Sequence, residues 1–156
     1  MLAVALAAAT VAGKPDPRRF LRVDASARVV EVTLVAGYDA TNNGFDFDGY
    51  ARGELMVTVP LGWRVRVTCT NRGALRHSCA VVRGPLARRP AFPGAATPQP
   101  LQGLAHGRTA RFSFRASRTG VFRFACLVPG HEQARMYDVL KIVKRGEPKV
   151  EDLRAR

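Results

Sequence analysis

Three side chains in segment 124–143, FACLVPGHEQARMYDVLKIV, could bind a transition metal. Cys126, His131 and Met136 are each separated by four residues, and an alternating apolar run follows them. The Pro-Gly pair before His131 predicts a turn that brings its imidazole back towards the cysteine. A thiolate, an imidazole and a thioether on one loop form a set of soft and borderline ligands that favours copper.

A copper site with this ligand set requires a second histidine from another part of the chain. The motif ALRHSCAVV offers His77 at the start of a predicted strand. Zinc also binds cysteine and histidine, but it rarely recruits methionine. A lone cysteine or methionine more often packs in the core than binds a metal. The Cys-His-Met loop together with an upstream histidine in an all-β chain is a far more specific signal of a metal site. We therefore expect His77, Cys126, His131 and Met136 to bind one metal ion.

Two further residues are expected to support this site. Ser78 follows His77 and is placed to hydrogen-bond between the His77 strand and the Cys126 loop, which would hold the ligands rigid. Val128 keeps a backbone N–H that Pro129 lacks, so Val128 is the predicted amide donor to the thiolate.

Short alternating strands dominate the rest of the chain. In RVRVTCTN, Val65, Val67 and Cys69 share one face, and the arginines and threonines share the other. The turns between such runs are rich in Gly, Pro and Asn, and no helical period is found. This pattern predicts an all-β fold, an antiparallel β-sandwich or barrel. The runs are RVVEVTLVA, ELMVTVP, RVRVTCTN, TARFSFRA, GVFRFAC and YDVLKIV.

Segment 83–108 interrupts the strand pattern. It contains five prolines and no strand period. Loops of this length are usually functional or mobile, and the prolines would limit any helix in it to a few residues. His106 lies in this loop without other candidate ligands, so we expect it to be a solvated surface residue.

Cys69 and Cys79 are predicted on inward faces of adjacent strands. They could form a disulfide in an exported protein. We expect buried free thiols instead, because free cysteine is among the most buried residue types and acts as a small hydrophobe.

The composition favours one folded domain with an anionic partner. A chain of 156 residues suffices for one core but hardly for two. It carries 25 Lys and Arg against 12 Asp and Glu, a net charge of +13. Such a charge favours nucleic acid, acidic lipid or an acidic protein as partner. The arginines are scattered along strands, so a surface that is basic by composition alone is the alternative.

Residues 1–13, MLAVALAAATVAG, resemble the apolar part of a secretion signal or a truncated anchor. The run is shorter than the roughly 20 residues of a membrane span, and it lacks the usual positive start. We expect an exported protein, periplasmic or on the outer face of the cytoplasmic membrane, either free or anchored. The predicted organisation is this segment, a β domain at 28–144 and a charged tail at 145–156.

The loop CLVPGHEQARM resembles the ligand loop of the cupredoxins, the blue copper proteins, with the spacing of rusticyanin, auracyanin and sulfocyanin. Segment 42–82, NNGFDFDGYARGELMVTVPLGWRVRVTCTNRGALRHSCAVV, is most similar to the sulfocyanin branch, and the match covers about residues 36–143. Cys79 departs from a more usual aliphatic residue. The resemblance implies a cupredoxin-like Greek-key sandwich that binds one type 1 copper ion through His77, Cys126, His131 and Met136.

Such a chain is expected to be a mononuclear electron carrier and not an enzyme. Copper oxidases and nitrite reductases need further histidine clusters, and the three histidines of this chain leave only His106 over. His131 is the predicted electron port, whereas His77 should be buried. The expected partners are redox proteins of a respiratory chain, such as cytochromes or a terminal oxidase, and an anionic membrane surface.

Two other functions stay open. The chain could store or deliver copper, although such proteins usually carry many more ligands. It could also be a basic module that binds nucleic acid or another anionic surface, which would require clustered cations with interleaved aromatic residues. We do not expect nucleic acid as a partner, because the arginines are not arranged in that way.

Overall fold

A computed structural model describes residues 13–155, so the signal-like segment lies almost wholly outside the described residues. Within this range the chain forms nine strands and three short 3₁₀ helices. None of the described helices is long and apolar enough to cross a membrane. The strands are β1 (Leu21–Asp24), β2 (Val29–Ala36), β3 (Leu55–Pro60), β4 (Arg64–Asn71), β5 (Ala80–Val82), β6 (Thr109–Arg115), β7 (Gly120–Ala125), β8 (Tyr137–Val143) and β9 (Lys149–Asp152); the helices are Pro17–Phe20, Thr41–Gly44 and Leu153–Ala155.

The strands form two sheets, which confirms the predicted cupredoxin-like β-sandwich. One sheet has the order β1-β2-β4-β6 and the other the order β5-β7-β8-β3-β9. The pairing is mixed, not purely antiparallel, because β2 pairs in parallel with β4 and β3 with β8. The physical reason is that β2, β3 and β4 alternate between the sheets, so β2 and β4 run in the same direction when they meet.

The alternating residues form the core between the sheets. On β4, Val65, Val67 and Cys69 are buried while Arg64 and Arg66 are exposed, as the sequence pattern predicts. Apolar burial of this kind is the main stabilising term of such a domain. The core includes Val30, Val32, Leu34, Val57, Val59, Phe112, Phe114, Phe122, Phe124, Leu140 and Ile142.

Cys69 and Cys79 form a disulfide, so the expectation of free thiols is wrong. Cys69 lies on β4 of one sheet, and Cys79 directly precedes β5 of the other. Both side chains point into the space between the sheets, and their Cα atoms are 6.1 Å apart, within the range that a disulfide spans. The bond therefore links the two sheets.

Strands also form outside the predicted 28–144 domain. β1 pairs with β2, and β9, within the predicted tail, pairs antiparallel with β3. Both ends of the described chain thus belong to the sandwich.

Segment 83–108 packs against the sandwich with isolated β-bridges and no helix or strand of its own. The buried Phe92 ring stacks on Phe114 with centroids 5.0 Å apart. The Thr97 N–H donates to the Cys79 carbonyl at 2.9 Å. The segment is therefore anchored in the core next to the disulfide.

Two carboxyl groups are buried in the loop between β2 and β3. Oδ1 of Asp46 accepts from the N–H groups of Tyr38 and Gly49, and Oδ1 of Asp48 accepts from that of Val35. Neither Oδ2 atom has a hydrogen-bond partner among the described residues. Burial raises the pKa of Asp46 to about 6 and that of Asp48 well above its ordinary value of 3.8.

These raised pKa values predict a loss of stability as the pH rises. Below pH 3.8 both carboxyls are protonated in folded and unfolded chains, so their contribution is fully present. It is lost as the pH rises through about 6, because the unfolded chain ionises more easily. Between pH 3.8 and about 6, the free energy of unfolding measured in urea should therefore fall less in Asp48→Asn than in the wild type.

Asp24→Asn is the matched control, because exposed Asp24 has a pKa lowered mainly by its backbone hydrogen bond from Ala27. The Asp24 carboxylate stabilises the fold above pH 3.8. Asp24→Asn should therefore lose more stability with rising pH than the wild type, the opposite of the effect expected for Asp48→Asn. Equal slopes for Asp48→Asn and the wild type would mean that Asp48 ionises normally.

The disulfide also predicts a measurable stabilisation. A closed loop with a sequence separation of 10 residues contributes about 3 kcal/mol to the free energy of unfolding by chain entropy. Metal-free wild type should lose about this much stability in reductant, and Cys69→Ala/Cys79→Ala should be insensitive to it. Denatured, unreduced wild type should titrate as one thiol; three thiols would contradict the bond.

Candidate metal centre

The predicted ligand residues come from two loops at one end of the sandwich. His77 lies between β4 and β5. Cys126 directly follows β7, His131 lies in the following turn, and Met136 directly precedes β8. The Val128 carbonyl accepts from the His131 N–H at 3.1 Å, which closes this turn.

Three of these residues bring their donor atoms together in a buried pocket. Nδ1 of His77 lies 3.1 Å from Nδ1 of His131, and Sγ of Cys126 lies 3.9 and 3.4 Å from these two atoms. The residues are 2%, 8% and 0% exposed respectively. Such separations suit one ion bonded at about 2.0–2.3 Å to nitrogen and sulfur.

Met136 closes the ligand loop through its backbone. Its N–H donates to the His131 carbonyl at 3.1 Å, and its carbonyl accepts from the Cys126 N–H at 3.3 Å. The side chain is fully buried in the core cluster that also contains Cys126. The Met136 side chain thus lies in the same apolar cluster as Cys126.

Ser78 of the His77 loop is hydrogen-bonded to the Cys126 sulfur and to the backbone of the Cys126 loop. The Ser78 N–H donates to Sγ of Cys126 at 3.3 Å, and the Leu127 N–H donates to Oγ of Ser78 at 2.9 Å. Burial raises the pKa of the Cys126 thiol, and the N–H groups of Ser78 and Val128 act in the opposite direction. These donors favour the thiolate, the form in which cysteine binds metals.

Both imidazoles are neutral in this pocket. Burial, with a smaller effect from His131, lowers the pKa of His77 to about 4. Burial also lowers the pKa of His131. Each ring therefore has one nitrogen lone pair available for a metal at neutral pH. Two imidazoles, a thiol and a nearby thioether are a donor set that fits one type 1 copper ion.

Two residues that sequence analysis did not connect with the site hold the histidine rings. Phe45 packs edge-on against both rings, with centroids 6.3 Å from His77 and 4.9 Å from His131. Gly73 lies against His77, where an added Cβ would stand 2.8 Å from Nε2. No spacing rule marks either position, because neither residue neighbours a ligand in sequence.

Glu132 connects the ligand loop to segment 83–108. Its side chain is 5% exposed and pairs with Arg123 at 2.9 Å. Its other oxygen accepts from the Leu86 N–H, also at 2.9 Å. The Arg123 guanidinium lies 3.8 Å from the centre of the Tyr137 ring. The only sequence signal for this role is an acidic residue directly after His131, which does not reveal its partners.

His106 lies outside the donor cluster. It is exposed, and its Nδ1 is 3.0 Å from the Gly73 carbonyl. Among residues 13–155, the one group of at least three His, Cys, Asp or Glu side chains that could hold a metal is His77, Cys126 and His131.

Residues 17–91 match the family model of the sulfocyanin (SoxE) domain. Auracyanin from the photosynthetic bacterium Roseiflexus castenholzii is 22% identical with a TM-score of 0.55, over 72% of this chain and 96% of that chain. Rusticyanin from Thiobacillus ferrooxidans is 19% identical with a TM-score of 0.51, over 80% and 86%. A blue copper oxidase from Nitrosomonas europaea is 21% identical with a TM-score of 0.56, over 75% of this chain but 39% of that chain. No curated protein sequence matches.

The structural neighbours show the shared fold, and the sequence of residues 17–91 adds a likeness to the sulfocyanin domain. The donor cluster lies at the end of this fold and fits the copper chemistry of that family. The sequence match over residues 17–91, the shared fold and the donor cluster together support a cupredoxin near the sulfocyanin branch.

Proposed function

We propose that the protein is a mononuclear type 1 copper electron carrier with His77, Cys126, His131 and Met136 as ligands. The observation that carries this proposal is the convergence of two neutral imidazoles and one free thiol in a buried pocket. A bound copper ion would supply a single electron by cycling between Cu(I) and Cu(II).

The surrounding residues keep the donor atoms in one arrangement. Ser78 fixes the sulfur to the neighbouring loop, and Phe45 packs against both imidazoles. The disulfide lies two residues from His77 and links the sheets beneath it. A site held in this way needs little movement when its charge changes, which favours fast electron transfer.

The exposed apolar residues at this end support His131 as the electron port. His131 is 8% exposed and His77 2%. Leu86 and Leu101 are 58% and 45% exposed, and they line a shallow pocket with Val128 and Pro129 beside the Cys126 loop. We propose that a redox protein approaches the ligand loop over this surface and exchanges electrons through His131. An acidic partner, such as a cytochrome or oxidase of a respiratory chain, suits the net charge of +13.

The disulfide supports an exported location, periplasmic or on the outer face of the cytoplasmic membrane. Structural disulfides form and persist in oxidising compartments and are rare in the cytosol. The link between Cys69 and Cys79 is fully buried and serves the fold, unlike a transient redox pair.

Copper storage or delivery is the second candidate. It would require more ligands or an open site, whereas the donor cluster of residues 13–155 is single and buried. An enzymatic role would require a second copper site. The chain has three histidines, and the one outside the cluster, His106, is exposed.

Removing the thiol tests the proposal most directly. Wild type loaded with Cu(II) should show an intense visible band from thiolate-to-copper charge transfer, and Cys126→Ser should lose it. Far-ultraviolet circular dichroism should be unchanged, because the sandwich does not depend on this side chain. His106→Ala is the matched control and should keep the band. A wild-type visible spectrum in Cys126→Ser would remove the residue from the site.

The axial role of Met136 has a separate test. Met136→Gln should keep copper but lower the reduction potential, because a harder oxygen ligand favours Cu(II). We expect a decrease of more than about 59 mV, a tenfold shift for a one-electron couple. Voltammetry should show no such change in Met56→Gln, where the methionine lies on β3. Equal potentials in Met136→Gln and the wild type would show that Met136 only packs.

A further inference from the structure

The outer face of the first sheet carries a patch of arginines away from the metal centre. Outward positions on β4 and β6 alternate with the core and are occupied by arginine, threonine or serine. We call the following five side chains the arginine face: Arg64 and Arg66 on β4, Arg111 and Arg115 on β6, and Arg22 on β1. All five are exposed.

Strand register brings these charges together. Arg64 lies directly opposite Arg115 on the antiparallel pair, and Arg111 lies opposite Thr68. Like charges in directly opposed positions destabilise a sheet. The arrangement therefore has a cost that an external anion would remove.

The protein itself neutralises little of this charge. Arg66 lies 3.8 Å from Glu31 in a pair whose side chains are both more than half exposed, and such pairs contribute little. Asp24, at the edge of the same face, is engaged by Ser26 and the Ala27 N–H. Within residues 13–155, the other four arginines of the face form no ion pair.

The chemistry of the face suits lipid phosphates better than a protein or a nucleic acid. Guanidinium groups with short hydroxyl side chains between them are good phosphate donors. The outward positions of β4 and β6 hold no aromatic or large apolar side chain. A tight protein interface usually needs such an anchor, and a single-stranded nucleic acid needs rings on which to stack.

The face and the metal centre are separated along the strands. Along an extended strand, Arg64 lies about 23 Å from Asn71 at the end of β4, and Arg111, opposite Thr68, lies about 10 Å from it. Asn71 lies at the end near the ligands, since its Oδ1 accepts from Gly73, which contacts His77. A flat surface placed against the face would therefore leave the metal end free at the side.

We infer that the arginine face binds the anionic headgroups of a lipid bilayer and lays the protein on the membrane with its metal end pointing along the surface. The inference rests on the sheet register and charge and is independent of the proposed electron transfer. It names a surface distinct from the apolar port at His131.

The experiment compares three copper-loaded full-length proteins by co-sedimentation with phosphatidylglycerol–phosphatidylcholine vesicles. They are the wild type, Arg66→Gln/Arg111→Gln on the face, and Lys141→Gln/Arg145→Gln, which removes the same charge from β8 and its turn on the other sheet. An unchanged visible spectrum and circular dichroism show that each variant is folded. Pure phosphatidylcholine vesicles are the control for binding that does not depend on lipid charge, including any binding through the apolar residues 1–12.

The wild type should bind the anionic vesicles, and the face variant should bind roughly 30-fold more weakly, from about 1 kcal/mol for each basic residue at an anionic surface. The control variant should stay within about threefold of the wild type, and binding should weaken when salt rises from about 0.01 to about 0.15 M.

Three results would overturn the inference. The first is that the wild type does not bind anionic vesicles at low salt, and the second is that both variants bind them equally weakly. The third is that the face variant still binds vesicles but no longer binds an acidic protein or DNA that the wild type binds. The last result would assign the face to another class of partner.

Discussion

The close approach of three donor atoms in a buried pocket is the constraint on which the rest of the structure depends. Two imidazole nitrogens and a sulfur face one another at 3.1–3.9 Å. These polar groups are buried, so they depend on one another or on a bound ion for partners, and the fold must hold them in place. The two ligand loops come from different parts of the sequence, and the disulfide between the sheets holds the first of them close to His77.

The ligand loops are fixed mainly by backbone groups, which are less mobile than side chains. The His77 backbone exchanges two hydrogen bonds with Leu104 of segment 83–108. Ser78 reaches the sulfur through its N–H, and Glu132 joins the other loop to the same long segment through Leu86. The segment thus contacts both ligand loops. Its lack of regular strands is compatible with rigidity, because its polar groups and Phe92 are engaged by the sandwich.

Polar and apolar surface are divided between different parts of the molecule. Two exposed leucines, Leu86 and Leu101, lie beside the Cys126 loop. Arginines occupy the outer face of the first sheet, where side chains alternate away from the core. The alternation that builds the core therefore also gathers these charged side chains on the outer face of the sheet, away from the exposed leucines.

The sequence determined the strand-rich fold and the members of the donor cluster. Cys126 and His131 are close in sequence, so a turn suffices to bring them together, and their side-chain chemistry indicates a metal site without a structure. Alternation on β4 likewise predicted which residues are buried, because a strand has a period of two whatever its partner. Placing Met136 as an axial ligand stays a prediction.

Only the tertiary structure decided the features that depend on which strands pair. Cys69 and Cys79 meet because β4 and β5 lie in opposite sheets, and the sequence does not show that partition. Tertiary packing likewise decided that two strand pairs are parallel and that Arg64 lies opposite Arg115. It also brought Glu132 to Arg123 and to the Leu86 N–H. A strand's own residues fix its two faces, but its neighbours and register are set by the packing of the whole chain.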